Sequence, residues 1–140
     1  MFRLDNKVVV LIGGNGYLGR NFSKAILEYG GIVFSCDKDN TKYEDVKKLK
    51  EKYPNKFYLY KTDCTKKENI LELKNKIFNK EGRIDVLINS VSMKTKDFYL
   101  SFEEVSLESW NIGLLGNLTI PFLTIQTFIP VMIEQKRVNN

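Results

Sequence analysis

The chain alternates short apolar runs with amphipathic stretches. Val8-Val9-Val10-Leu11-Ile12 is a continuous β-branched run, the pattern of a strand buried on both faces. Glycines follow, and then Leu18, Phe22, Ala25, Ile26 and Tyr29 fall at helical spacing until Gly30-Gly31 ends the helix. Ile32-Val33-Phe34-Ser35-Cys36 reads as a second strand, leading into Asp37-Lys38-Asp39-Asn40. A Lys-rich helix is predicted from about Lys42 to Tyr53, stopped by Pro54-Asn55. Phe57-Tyr58-Leu59-Tyr60 is a third strand. The next helix sets Ile70, Leu73 and Ile77 on one face, joined by Leu71 and Phe78, and Gly82 closes it. Ile84-Asp85-Val86-Leu87-Ile88 is a fourth strand, and a loop from about Asn89 to Leu100 precedes a last helical stretch.

Four strands separated by helices long enough to cross over imply parallel pairing with right-handed connections. The class is α/β, a βαβαβαβ unit that begins a doubly wound sheet. The 140 residues suit one domain, with no linker or repeat to divide it.

One stretch competes with that reading. Between Glu108 and Glu134 there is no charge, a length that can span a bilayer. Asn111, Asn117, Gln126, three threonines and two prolines stand against a span, because each polar group at mid-bilayer needs a partner. A helix apolar on most faces also arises when one side covers a sheet and another meets a subunit. We expect that arrangement, with self-association through residues 109–133 and no membrane.

Charge changes the picture little. Lys and Arg number 22 against 17 Asp and Glu, a net +5, but the lysines are interspersed with acids, as in Glu44-Asp45-Val46-Lys47-Lys48. That is a solvated surface, and no nucleic-acid partner is expected. The absence of histidine excludes His-based triads and HExxH metal sites. Cys36 and Cys64 are too few for a disulfide framework and lack zinc-site spacing. No metal is expected. The start lacks an apolar signal region, so an intracellular, cytoplasmic chain with free thiols is the expectation.

The strongest motif is Gly13-Gly14-Asn15-Gly16-Tyr17-Leu18-Gly19, a GxxGxxG turn between the first strand and first helix. The first glycine permits a tight turn, the second lets a pyrophosphate approach the backbone, and the third lets the helix sit near the sheet. The helix offers its unpaired N–H groups and positive dipole end to phosphates. Asp37, about twenty residues on, can accept both ribose hydroxyls of an adenosine and repels a 2′-phosphate. The cofactor is therefore expected to be NAD rather than NADP.

Together these features resemble the short-chain dehydrogenase/reductase family over essentially the whole length. The glycine loop is similar to the family's nucleotide-binding turn, and Asp63-Cys64-Thr65 resembles its Asp-Val-Thr, which implies that Asp63 and Cys64 lie against adenine. Ile84 to Asn89 resembles its fourth strand, ending at the first Asn of Asn-Asn-Ala-Gly. Phe102-Glu103-Glu104 through Ser109-Trp110 resembles the lead into its long helix, and Asn117-Leu118-Thr119 matches the Asn of its catalytic tetrad. Asn117 is thus a candidate for holding a proton-relay water, or a polar residue satisfied within a packed helix.

The resemblance implies a partial Rossmann-type sheet of strand order 3-2-1-4, with NAD along the carboxyl ends of its strands. The implied activity is hydride transfer between nicotinamide and a hydroxyl or carbonyl carbon. The glycine-loop spelling looks most like members that act in sugar or surface-glycan biosynthesis. Departures are Ile12 for Thr, Ser90-Val91-Ser92 for Asn-Ala-Gly, and Ile120 for a frequent Gly. The catalytic Ser and Tyr-x-x-x-Lys are expected beyond Asn140, so this chain carries the cofactor half. The alternative is a non-catalytic dinucleotide-binding module or an inactive remnant. Tyr43-Glu44-Asp45-Val46-Lys47 has the Tyr-x-x-x-Lys spelling, but it follows Asp37 at the adenosine end, and Tyr43 and Lys47 read as surface residues.

Overall fold

A computed structural model of the chain describes residues 2–39 and 43–138; Asn40 and the expected helix start at Lys42 lie outside them. Four strands, β1 (Val8–Ile12), β2 (Ile32–Asp37), β3 (Phe57–Lys61) and β4 (Val86–Asn89), pair in parallel in the order β3-β2-β1-β4. Val9 sits opposite Val33 on one side and Val86 on the other, so β1 is paired along both edges. Helices α1 (Tyr17–Glu28), α2 (Glu44–Lys52) and α3 (Lys67–Glu81) make the crossovers. The alternating pattern, the class and the strand order all agree with the sequence reading.

All five residues of β1 are buried, and its alternation divides the core. Val8, Val10 and Ile12 join Phe34, Ile70, Leu73, Ile77 and Phe128 on one face. Val9 and Leu11 join Ile26, Leu27, Val33, Val46 and Phe57 on the other. A side-chain period of two, buried both ways, produces the unbroken apolar run seen in the sequence.

The first helix differs from its expected pattern. Of Leu18, Phe22, Ala25, Ile26 and Tyr29, only Ile26 is buried. The face turned to the sheet is Gly19, Ser23, Ile26 and Leu27. Small residues at 19 and 23 let the helix lie close to the glycine turn. A Cβ on Gly19 would stand 2.4 Å from the Gly13 carbonyl oxygen. Close approach, not side-chain bulk, sets the rotation of α1 and turns Leu18 and Phe22 outward. The fourth strand also begins later than expected. Asp85 accepts the Val8 N–H at 2.8 Å and pairs with Arg83, while the Gln135 amide exchanges two hydrogen bonds with the Ile84 backbone.

The last stretch is one long helix in two parts, α4 (Leu107–Leu114) and α5 (Ile120–Val138), joined by a widened π turn over Leu115–Thr119. Ser106 caps α4 by accepting the Ser109 N–H. The buried Asp97 carboxylate accepts both the Ser106 N–H and its hydroxyl. These hydrogen bonds, the Ser106 hydroxyl first, hold Asp97 at a pKa of about 2. One side of the helix packs Ile120, Thr124 and Phe128 inward. On the other, Trp110, Leu114, Leu118, Phe122, Ile125, Ile129 and Ile133 recur every three or four residues and are exposed. Leu107–Lys136 is long and apolar enough to cross a membrane, with a mean hydropathy of 1.5 over an 18-residue stretch of which 22% is buried.

Two outcomes follow. Ile77→Val should cost about 1 kcal/mol and Ile77→Ala about 2–5 kcal/mol, whereas Leu71→Ala, half exposed on the same helix, should stay within about 0.5 kcal/mol; urea unfolding midpoints measure all three. Asp97 has a folded pKa below its unfolded value, so its stabilisation is complete above about pH 4 and fades as pH falls towards 2. Asp97→Asn should therefore melt below the parent at pH 7, with the gap closing between about pH 4 and 2. A gap that does not depend on pH would contradict this.

Candidate functional site

The chain leaving β1 must turn sharply beside the carboxyl ends of β2 and β4. Gly13 does so at φ +78°, a conformation that L side chains rarely adopt. Its N–H donates to the Cys36 carbonyl at 2.8 Å. A Cβ there would also lie 2.8 Å from the Ser90 carbonyl carbon and the Val91 nitrogen. Gly14 is pressed by Ser35, whose Oγ would be 2.1 Å from an added Cβ, a requirement that the GxxGxxG spacing does not show. Gly16 is different. Among the described residues an added Cβ would meet just one atom within 4 Å, the Gly13 oxygen at a tight 3.3 Å, and the rest of the space beside it is open. Gly16 is the N-cap of α1, and no side chain caps that end, which leaves first-turn N–H groups for an anion.

These groups border a cleft of about 340 Å³ over the carboxyl ends of the strands. Of the expected cofactor residues, Gly13, Asn15, Gly16, Asp37, Asp63 and Cys64 line it. Tyr17 and Leu18, in the first turn of α1, are exposed, and Gly19 is buried beneath the turn. Asn89 ends β4, where its Oδ1 accepts the Thr124 hydroxyl at 2.8 Å; that bond ties the strand to α5. Asn117 lies in the π turn, exposed, donating to the Gly113 carbonyl at 2.9 Å. It is not among the cleft-lining residues.

Asp37 is oriented by two backbone donors, Asn15 N–H at 3.1 Å and Lys38 N–H at 2.7 Å. A carboxylate has further lone pairs for ligand hydroxyls. Asn15 turns inward, 3% exposed. Its Oδ1 accepts the Ser35 hydroxyl and its Nδ2 donates to the Asp39 carbonyl, so it shapes the turn after β2. Asp63 accepts the Thr65 hydroxyl and N–H, lies 3.6 Å from the Lys38 ammonium, and has its pKa lowered chiefly by the Thr65 hydroxyl. Burial, and then the charge of Asp63, pushes the Cys64 thiol up to about 11. Burial raises Cys36 well above its ordinary value. Both thiols are protonated at neutral pH and are poor nucleophiles.

Four lining residues were missed or misread from sequence. Ile120 is buried at the cleft floor, and Met93 lines it too, packed where a Cβ on Gly116 would stand 2.5 Å from Met93 Cγ. The glycine in the π turn thus lets the long helix ride against the loop after β4. Ser90 lines the cleft, and its buried Oγ has no hydrogen-bond partner. Tyr43 lines the cleft as well, with the Arg20 guanidinium over its ring at 4.0 Å; it is not the simple surface residue expected. Lys47 is exposed, as expected. No periodicity signals Ile120 or Tyr43, because their partners are distant in sequence.

Three features fit a dinucleotide: open space at Gly16, an uncapped helix end, and an oriented carboxylate at the β2 end. Among the described residues no cluster of metal-ligating side chains is present.

Known proteins agree. The chain is 28% identical over 134 residues to the 3-oxoacyl-(acyl-carrier-protein) reductase FabG of Thermotoga maritima, covering 96% of this chain and 53% of that protein. It is 31% identical over 139 residues to dehydrogenase/reductase SDR family member 6 of Aquarana catesbeiana, covering 99% and 52%. The chain therefore spans about half the length of the curated relatives it matches. Among solved structures, a protein assigned as a short-chain dehydrogenase/reductase from Burkholderia xenovorans superposes with a TM-score of 0.84 at 24% identity, covering 96% of this chain and 54% of that one. A protein assigned as a D-mannonate oxidoreductase from Haemophilus influenza, solved with bound NAD, superposes at 0.78 and 22% identity, covering 93% and 51%. The short chain dehydrogenase family model matches residues 7–139. With the glycine turn, the 3-2-1-4 sheet and this match in agreement, the chain belongs to the short-chain dehydrogenase family.

Proposed function

We propose that this chain is the cofactor-holding half of an NAD-dependent oxidoreductase acting on a sugar-like or other hydroxyl- or carbonyl-bearing substrate. The observation that carries the reading is a single cleft with the open Gly16 and uncapped α1 end on one side and the oriented Asp37 carboxylate on the other. When bound, the nicotinamide supplies hydride transfer. The chain's own residues bind and orient. The N–H groups of α1 face the pyrophosphate, Asp37 accepts from the adenosine ribose, and Asp63 with Cys64 borders adenine. Asn117 is a candidate for holding a water near the reacting carbon. Its support is the family motif and its place in a π turn, a distortion frequent at functional sites.

The apolar stripe on the long helix fits a protein interface better than a bilayer in this reading. Gln126 bonds Lys67 at 2.7 Å, and Gln135 bonds Ile84, so the helix is tied to the start of α3 and to the segment that leads into β4. Each Å² of that stripe left in water forgoes roughly 25 cal/mol, which favours self-association. A cytoplasmic location is the reading that two free cysteines, Cys36 and Cys64, favour.

Calorimetric titration should find NAD bound at least about tenfold more tightly than NADP. Asp37→Ala should erase that difference. Gly16→Val should abolish binding with only a modest fall in melting temperature, since the Cβ presses on the Gly13 oxygen and the further methyls enter ligand space. Equal affinity in the unmutated chain would defeat the assignment of NAD. Sedimentation should show concentration-dependent dimers or larger species that Phe122→Glu disperses. Retention in carbonate-washed membranes would instead favour a span.

A further inference from the structure

Behind the ribose end of the cleft lies a cluster that the glycine turn alone does not require. Arg20, on the first turn of α1, donates from Nη1 to the Asn15 carbonyl at 2.8 Å. Its Nε lies 2.8 Å from Asp45 Oδ2, and its guanidinium stacks over Tyr43. One side chain therefore joins the glycine turn to the start of α2. Asn15 holds the near end of the same connection, through the Asp39 carbonyl, and its own N–H orients Asp37. Asp39 and Tyr43 are thus held by Asn15 and Arg20 in turn.

The charges around this corner are unequal. Asp37 and Asp39 line the cleft, and the Lys38 ammonium between them is drawn to Asp63 at 3.6 Å. Arg20 is the nearby guanidinium, its side chain only 17% exposed, so its field is weakly screened on the protein side. Asp45, 59% exposed on the outer side, neutralises it. A guanidinium is also the group best shaped to grip a phosphate.

Building on the cleft as a dinucleotide site, we propose that the Arg20–Asp45 pair selects the cofactor. Neutralised by the ion pair with Asp45, Arg20 braces Tyr43 and Asn15 and offers no free charge to a 2′-phosphate, so the acidic corner admits only an unphosphorylated ribose. Freed of Asp45, the same arginine becomes the cation that a 2′-phosphate needs. Asp45 is then a specificity-determining residue that touches no part of the ligand, and Arg20 is a positioning residue for the ribose site.

The test is titration of the full chain with NAD and NADP at low and high salt, with a thermal melt of each variant. Asp45→Asn, an exposed isosteric change, should raise NADP affinity about five- to tenfold, with NAD affinity changed less than about twofold. The gain should shrink as salt is raised. Arg20→Gln should weaken NAD binding several-fold by loosening the turn, and the double variant Arg20→Gln with Asp45→Asn should show no NADP gain. An Asp45→Asn protein that melts like the parent and keeps the parental NAD-to-NADP ratio would overturn the proposal. So would a gain that survives in the double variant. If the unmutated chain bound neither dinucleotide, the reading of the cleft would fall, and this proposal with it. Parental binding of NAD with an unresponsive Asp45→Asn would sink the Arg20–Asp45 selection alone.

Discussion

The rest of the structure depends on the burial of β1 on both faces and its pairing along both edges. A central strand with no exposed side must hand the chain onward in the narrow space where β2 and β4 diverge. At that switch point the backbone of Gly13 runs so close to Ser90 and Val91 that no side chain fits. Open parallel sheets place ligand crevices at such points because the connections leave to opposite faces. Here the crevice is walled by the turn after β1, the ends of β2 and β3, and the loop after β4. The helix end, the carboxylate and the floor residues are all placed by that one crowding.

Four aspartates repeat a single device around this framework. Asp37 accepts the N–H groups of Asn15 and Lys38, Asp63 that of Thr65, Asp85 that of Val8 and Asp97 that of Ser106. Each stands where a regular element begins or ends and satisfies a donor that neither sheet nor helix can reach. Hydrogen bonds to a charged acceptor are about twice as strong as neutral ones, so these junctions are stiff. Asp37 and Asp63 differ from the other two in lining the cleft, and there the device that orders the backbone also fixes ligand-facing groups.

How much of this was legible in the sequence follows from the range of the forces involved. Period-two and period-3.6 patterns are local, so the strands, the helices and their order could be read directly. Positive φ at Gly13 and at Gly82, which ends α3, is also a local demand. The rotation of α1 was not readable, because it is set by contact between Gly19 and Gly13, and the sequence favoured the bulkier stripe through Leu18 and Phe22. Nor was the cleft floor. Ile120 reads as one more apolar residue in an apolar helix, and only the π turn and the Met93–Gly116 contact bring it there. Tyr43 was misread because its partner, Arg20, lies on another helix. Asp37 was legible as a candidate because its meaning comes from its distance to the glycines, whereas its two backbone donors came only with the fold.

The partners of β1 also imply an order of events during synthesis. β2 and β3 follow β1 closely in sequence, whereas the Asp85–Val8 bond spans 77 residues. As the chain emerges, β1, β2 and β3 with the helices between them can pair first, leaving the second edge of β1 bare. Contacts of high sequence separation form late because the loop they close costs entropy. Of the four strands β4 therefore docks last, and only then does Ser90 arrive against Gly13. The turn that faces the ligand gains this neighbour only once the fourth strand is in place, so a nascent chain stalled short of β4 would hold much of the sheet but not the finished crevice.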